Sequence, residues 1–191
     1  MNVLILDGSL ENTESLAPAR EALTTELKKR SWDFEHILLH QRNIRACIGC
    51  FRCWHTTPGI CSGVAGDDAE DIIRKTITCR LLIFFTPLMF GGYSSELKKI
   101  IERFLGLLQP GITLINGESH HKKRYDRYPS ILSMGLHESP EDEEVELFKR
   151  LAYRHSLNFY PPWHRGEVFR TSDIDLQSKI GVILDDLERQ T

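Results

Sequence analysis

The sequence predicts a doubly wound α/β fold: five parallel strands with helices on both faces. Two observations carry this. Short apolar or β-branched runs alternate with segments of helical period, the pattern of successive βαβ units. Glycine-bearing turns follow the first and third apolar runs, where such a sheet places its ligand. The chain has 191 residues, enough to bury roughly two-thirds of the surface its unfolded form exposes, so it needs no disulfides to fold. With no internal repeat and no low-complexity linker, residues 1–191 read as one domain, with a cysteine-rich loop at 46–66 and a long insertion at 106–129.

The strands are expected at Val3 to Asp7, Phe34 to Leu39, Arg80 to Thr86, Ser130 to Leu136 and Gly166 to Arg170. Ser15 is placed to cap a helix with Leu16, Ala19, Leu23 and Leu27 on its apolar face, and Pro18 falls in the first turn, where N–H groups lack helical partners. Asp67 and Asp68 put negative charge at the start of a helix carrying Ile72 and Ile73, and Cys79 closes it as buried packing. Ser94 or Ser95 caps a helix whose Leu97, Ile100, Ile101, Phe104 and Leu105 share one face. Ser139-Pro140 opens the next helix, through about Asn158, with Asp142 in capping-box register. The last runs from Ser172 to about Arg189. Between Gln109 and Pro129 the periodicity lapses, and the stretch reads as a long functional or interface loop.

Charge and composition exclude several classes. A net charge of −3 gives no general attraction to nucleic acid or acidic membranes. The opening "MNVLILDGSL" has five apolar residues before Asp7, too few for a signal-peptide core, and the expected location is cytoplasmic. There is no G-x-S-x-G elbow and no H-E-x-x-H motif, which argues against hydrolases.

Two turns carry the functional signal. "LILDGSLENTESL" runs from strand through a Gly-Ser turn into a helix start, where backbone N–H groups and the helix dipole favour an anion; Ser9, Asn12, Thr13 and Ser15 could add donors. It is neither a Walker loop nor a G-x-G-x-x-G fingerprint. After the third strand, Thr86-Pro87 breaks the extended run and Gly91-Gly92 lets backbone approach a ligand. In a sheet of order 2-1-3-4-5 both turns meet at the carboxyl edge, at the switch point between strands 1 and 3.

These residues carry a resemblance. "GS" after strand 1, "C-x-G-C-F-x-C-W" with "PG-x-C" and "DD" downstream, and "TP-x-x-FGG-x-S-x-x-LK" after strand 3 together resemble the NADPH-dependent FMN reductase and iron-sulfur flavoprotein family, over roughly residues 1 to 105. The resemblance implies a flavodoxin-like fold and an FMN-dependent NAD(P)H oxidoreductase that forms a homodimer or homotetramer and passes electrons to a small-molecule or protein acceptor. It implies that Ser9, Asn12, Thr13, Ser15 and Leu16 hold the FMN phosphate, while Thr86, Pro87, Leu88, Met89, Phe90, Gly91 and Gly92 border the ring. No side chain is assigned as catalytic, because positioning of the nicotinamide over the flavin carries the rate. Where relatives tend to read "GSPR", this chain has "GSLE". Glu11 and Glu14 would repel a bound dianion unless they point into solvent. The rival of a different class is a flavin-free binding module on the same sheet.

Cys47, Cys50, Cys53 and Cys61 are spaced C-x2-C-x2-C-x7-C. Thiolates suit both zinc and iron–sulfur clusters. By resemblance these four would ligate a [4Fe–4S] cluster beside the flavin; structural zinc, a C-x-x-C dithiol and free thiols are the competing readings. Lys122, Lys123 or Arg124 could meet the 2′-phosphate of NADPH, against the plainer reading of a solvated basic loop. His120 and His121 show no carboxylate-spaced partner.

Overall fold

The computed structural model describes residues 1–11, 14–64 and 66–190. Its main sheet contains β1 (Asn2–Asp7), β2 (Asp33–Leu38), β3 (Leu81–Pro87), β6 (Ser130–His137) and β7 (His164–Arg170) in the order β2-β1-β3-β6-β7. Every pairing in it is parallel. This is the flavodoxin-like order expected from the sequence, with β6 and β7 as its fourth and fifth strands.

Alternation along each strand divides the core between two faces. Val3 and Ile5 of β1, with Ile83 and Phe85 of β3, pack beneath α1 (Ala17–Lys29) and α6 (Leu176–Gln190). Leu4, Leu6, Leu82 and Phe84 point the other way, against α3 (Ala69–Thr78) and α4 (Ser95–Arg103). All seven residues of β3 are buried, as a central strand covered on both faces requires. A long helix, α5 (Asp142–Phe159), packs on β7, and a four-residue helical turn, α2 (Arg52–His55), sits inside the cysteine loop.

Several helix starts differ from expectation. Ser15 lies in a 3-10 turn (Glu14–Leu16), and α1 begins after Leu16 without a side-chain cap; Pro18 still occupies the first turn. The cap of α5 is Glu141 rather than Ser139, because Glu141 and Glu144 form a reciprocal capping box two residues further on. The last helix starts at Leu176, four residues beyond Ser172. Ser94 does cap α4, its side chain accepting from the Leu97 N–H at 3.3 Å.

The largest correction concerns 106–129. The expected loop contains an antiparallel hairpin, β4 (Leu108–Ile115) and β5 (Glu118–Lys123). Its turn is Asn116-Gly117, with φ of 50° and 83°, the left-handed pair that a two-residue type I′ turn demands. Arg124 pins the hairpin base by donating from Nε to the Gly106 carbonyl (2.8 Å) and from Nη2 to that of Leu108 (2.9 Å). His120 also departs from expectation: it is buried and faces Glu118 Oε2 at 3.3 Å and Asn158 Oδ1 at 3.1 Å.

Candidate functional site

The two glycine-bearing turns meet at the carboxyl rim of the sheet. Gly8 donates from its N–H to the Phe85 carbonyl at 2.7 Å, and its own carbonyl accepts the Ser94 hydroxyl at 2.5 Å. A Cβ on Gly8 would stand 2.6 Å from Ser94 Oγ and 2.7 Å from Leu97 Cβ, so any larger residue here forces its neighbours to shift. Thr86 is fully buried; its hydroxyl accepts the Ser94 N–H at 3.0 Å and donates to the Pro87 carbonyl at 2.9 Å. Of the residues expected to border a ligand, Thr86 therefore acts as an inward brace.

Residues 88–92 form a tight reversal. Met89 and Gly92 exchange both backbone hydrogen bonds, at 3.0 and 2.9 Å, while Phe90 and Gly91 hold φ of 51° and 71° between them. A left-handed phenylalanine is strained, and such strain concentrates at ligand sites. Leu88 is buried and donates to the Leu136 carbonyl at 2.8 Å, but Phe90 is 89% exposed and Met89 40%. Two apolar side chains thus stand in water beside the rim.

Beneath the first turn lies a network that sequence reasoning missed. Asp7, fully buried at the end of β1, accepts from the Ser9 N–H (2.9 Å), Arg20 Nε (2.7 Å) and His36 Nε2 (2.8 Å). Burial alone would raise its carboxyl pKa, but the bonds from His36, Ser9 and Arg20 outweigh it and hold the group below the ordinary range. Arg20 also reaches Ser9 Oγ at 3.2 Å, and His40 Nδ1 meets the Ser9 carbonyl at 3.1 Å. The signal available beforehand was the acid itself: an Asp ending an otherwise apolar strand needs buried donors. Glu11 and Glu14 are both exposed, as a nearby anion requires. Ser15 is exposed and Leu16 buried against the core, while Asn12 and Thr13 lie outside the described residues.

The cysteine loop sits at the other end of α4. Nine helical residues separate Ser94 from Phe104, about 13 Å of axis, so the loop is a helix length from the glycine turns rather than directly beside them. Cys53 is buried, Cys47 and Cys61 are partly buried and Cys50 is exposed. Gly63 makes room for Cys50, whose Sγ stands 2.1 Å from where a Gly63 Cβ would be. Burial, then the neighbouring Cys61, Cys47 and Cys50 charges, push the Cys53 thiol up; burial likewise raises Cys61, against the opposing pull of Arg103. Among the described residues no three His, Cys, Asp or Glu side chains are gathered as a set for one metal ion. Trp54 stacks on Phe51 at 5.2 Å and anchors the loop by donating from Nε1 to the Leu105 carbonyl at 3.0 Å.

The basic run does not approach this rim. Lys123, with Arg80 and Arg127, lines a cavity of about 570 Å³ beside Met1 and Ser130, at the rim where β1 and β6 begin. Arg124 is committed to backbone carbonyls. Within one chain these groups do not stand where a nicotinamide nucleotide on the glycine turns would need them.

Comparison with known proteins agrees with this geometry. An iron-sulfur flavoprotein of Methanocaldococcus jannaschii is 32% identical over 106 residues, covering 54% of this chain and 51% of the relative. Another, from Archaeoglobus fulgidus, is 29% identical over 103 residues, 54% and 48% of the two chains. The aligned segment thus spans about half the length of these curated relatives. Among solved structures, an NAD(P)H:quinone oxidoreductase from Methanothermobacter marburgensis superposes with a TM-score of 0.66 at 15% identity, covering 99% of this chain and 94% of the other. An FMN-dependent NADH-azoreductase from Bacillus anthracis, solved with FMN, gives 0.59 at 10% identity over 98% and 99%. At such identities these two report the fold. The family model for NADPH-dependent FMN reductase matches residues 1–124, which takes in both glycine turns and the cysteine loop, and the chain belongs to that family.

Proposed function

We propose that this protein is an FMN-dependent oxidoreductase that oxidises NAD(P)H and passes the electrons to an acceptor by way of a [4Fe–4S] cluster. The observation that carries the reading is the bond between Ser94 and Gly8, which joins the two turns on one rim. Bound there, FMN supplies the redox chemistry, accepting a hydride as an electron pair and releasing electrons singly or in pairs.

The residues present fit the cofactor. Ser9 Oγ, held by Arg20 at 3.2 Å, would meet the phosphate end, with the Asp7-paired guanidinium behind it. Asn12, Thr13 and the start of α1 would complete that end. Met89 and Phe90 offer an apolar edge that would shield the ring from water, and the left-handed turn at Phe90-Gly91 would bring backbone to its border. Thr86 fixes that turn against Ser94, and Pro87 and Leu88 lead into it. The exposed Phe90, Ile112 and Leu114 support self-association into a dimer or tetramer.

For the cysteines, the donor set supports a cluster better than zinc. Structural zinc sites more often use two separated C-x-x-C knuckles, whereas Cys47, Cys50 and Cys53 overlap as C-x2-C-x2-C. A cubane takes thiolates at separate corners, which suits four cysteines within electrostatic reach of one another and a Gly63 hollow that receives Cys50.

The experiment is an anaerobic purification with FMN and iron present, followed by desalting and a visible spectrum. Two flavin bands with a broad brown shoulder, and bleaching on addition of NADPH or NADH, are the expected result. A protein that remains colourless after saturation with FMN fits the flavin-free binding module instead. Ser9→Ala with Thr13→Ala should weaken FMN retention; unchanged retention would move the phosphate site elsewhere.

A further inference from the structure

We propose that the cavity at the amino rim of the main sheet is a binding site for a diphosphate group, free or carried by a nucleotide, held by Arg80, Lys123 and Arg127. The inference depends neither on the flavin nor on the cysteine loop.

The cavity lies where the strands begin. Arg80 immediately precedes β3 and Ser130 opens β6. Both backbones are fixed: the Arg80 N–H donates to the Asn2 carbonyl at 2.9 Å, and the Ser130 N–H donates to the Arg80 carbonyl at 2.9 Å. β1 has six residues, so about 20 Å of strand separates this rim from the glycine turns. A ligand here would leave the turns free. The space is about 570 Å³, the size of pockets that enclose small organic ligands.

Its charge runs against that of the whole protein. The chain carries a net charge of −3, yet the side chains of Arg80, Lys123 and Arg127 line this cavity against one carboxylate, Asp126. Several exposed cations elsewhere are paired: Lys75 with Glu35, Arg154 with Glu118 and Lys179 with Asp173. Arg80, Lys123 and Arg127 form no ion pair among the described residues, with Asp126 or with any other carboxylate. Like charges gathered around one hollow repel each other and focus a positive potential into it; a bound anion relieves the first and uses the second. Two guanidiniums also present planar forks, each matching a pair of phosphate oxygens.

The remaining walls are set in advance. Ser130 lines the cavity at 2% exposure, and no described residue hydrogen-bonds its hydroxyl, a donor that a phosphate oxygen would satisfy. Lys123 Nζ stands 5.0 Å from the centroid of the Tyr160 ring, which holds its charge at the wall. Tyr160 is itself anchored, its hydroxyl donating to the His121 carbonyl at 2.5 Å, and it runs directly into Pro161-Pro162. The prolines restrict the backbone there, so binding needs little further ordering.

The test titrates ADP, inorganic pyrophosphate and adenosine by calorimetry at low ionic strength. The proteins are wild type, the cavity variant Arg80→Gln/Arg127→Gln, and Arg150→Gln/Arg170→Gln, which removes the same charge from side chains that do not line the cavity. ADP and pyrophosphate should bind wild type at one site and the cavity variant about 10-fold or more weakly, with the second variant within about twofold of wild type. Adenosine should not bind, and added salt should weaken both phosphate probes. ADP binding tighter than pyrophosphate identifies a nucleotide as the source of the group; equal affinities identify free diphosphate. A second measurement needs no variant: ADP should protect Lys123 of the wild type from acetylation by an amine-reactive ester, read by mass spectrometry, and leave Lys28 as reactive as before. The proposal is overturned by a cavity variant that binds as tightly as wild type, by an unprotected Lys123, by adenosine binding as well as ADP, or by no binding of either phosphate probe.

Discussion

The Ser94 hydroxyl donates to the Gly8 carbonyl across 86 residues of sequence, at 2.5 Å and wholly buried. One side chain therefore does two jobs: its Oγ accepts from Leu97 N–H to cap α4, and its proton ties the turn after β1 to the turn after β3. Ser94→Ala removes both bonds and leaves a buried carbonyl unpaired, a loss of about 1–3 kcal/mol. Urea denaturation should show that loss, and FMN should bind more weakly because the two turns are no longer held in register.

Gly8→Ala tests the same junction by crowding. The new methyl would meet Ser94 Oγ at 2.6 Å and Leu97 Cβ at 2.7 Å, distances that force α4 outward. Overpacking of this kind costs about 1–3 kcal/mol. The expected phenotype is a folded but less stable protein, by thermal melt, with lower FMN occupancy after desalting.

How much of this was legible follows from which forces act locally. The sheet order was readable because β3, "LLIFFTP", is apolar on both faces while Val3 to Leu6 continue directly into a Gly-Ser turn. The Gly91-Gly92 reversal was visible for the same reason. The hairpin has a local signal too, the Asn-Gly pair of a type I′ turn in "LINGES", but flanking polar strands such as "ESHHKK" mask the alternation. The Asp7–Arg20–His36 and Arg103–Asp67–Cys61 networks were not legible. Their members lie 13, 29, 36 and 42 residues apart, and only the tertiary fold places them within hydrogen-bond distance.

Arg20 gives a prediction specific to phosphate. Because its guanidinium bridges Asp7 and Ser9 Oγ, its influence should reach the phosphate end of FMN and not the ring. Arg20→Gln, combined with Asp7→Asn so that no buried carboxylate is stranded, should weaken FMN by about 10-fold or more, the loss of one charge-assisted contact. Riboflavin, which lacks the phosphate, should bind both proteins alike. Fluorescence titration with the two flavins reads the difference; parallel losses for both would locate the defect in the ring site.

Glu26 makes acid stability a readable quantity. Its carboxylate joins α1 to α6 through Lys29 Nζ (2.7 Å), Arg30 Nη1 (2.6 Å) and Gln177 Nε2 (2.9 Å). Burial alone would raise its pKa, but these partners lower it from 4.5 to about 2. A carboxyl depressed in the folded state contributes stability that is fully present above the unfolded value near 4.5 and is lost as pH falls through about 2. Allowing for solvent screening around the exposed Lys29, the contribution at neutral pH is of order 1–3 kcal/mol. Glu26→Gln should therefore be less stable than wild type at pH 7, and urea midpoints of the two should converge as the pH approaches 2.

Phe90 sets stability against function. It occupies the first central position of a reversal whose φ values, 51° and then 71° at Gly91, are those of an Asn-Gly turn. Its ring is almost wholly in water, so it gains little burial in return for the strained backbone. Phe90→Asn should relieve that strain and stabilise the free protein by about 0.5–1 kcal/mol, since asparagine tolerates the left-handed region. If the ring edge of FMN rests on Phe90, the same change should weaken flavin binding and speed its loss on dilution. A thermal melt of flavin-free protein paired with a dilution-release measurement separates the two effects. A variant that melts higher and also holds FMN as tightly would assign Phe90 to a surface other than the flavin edge.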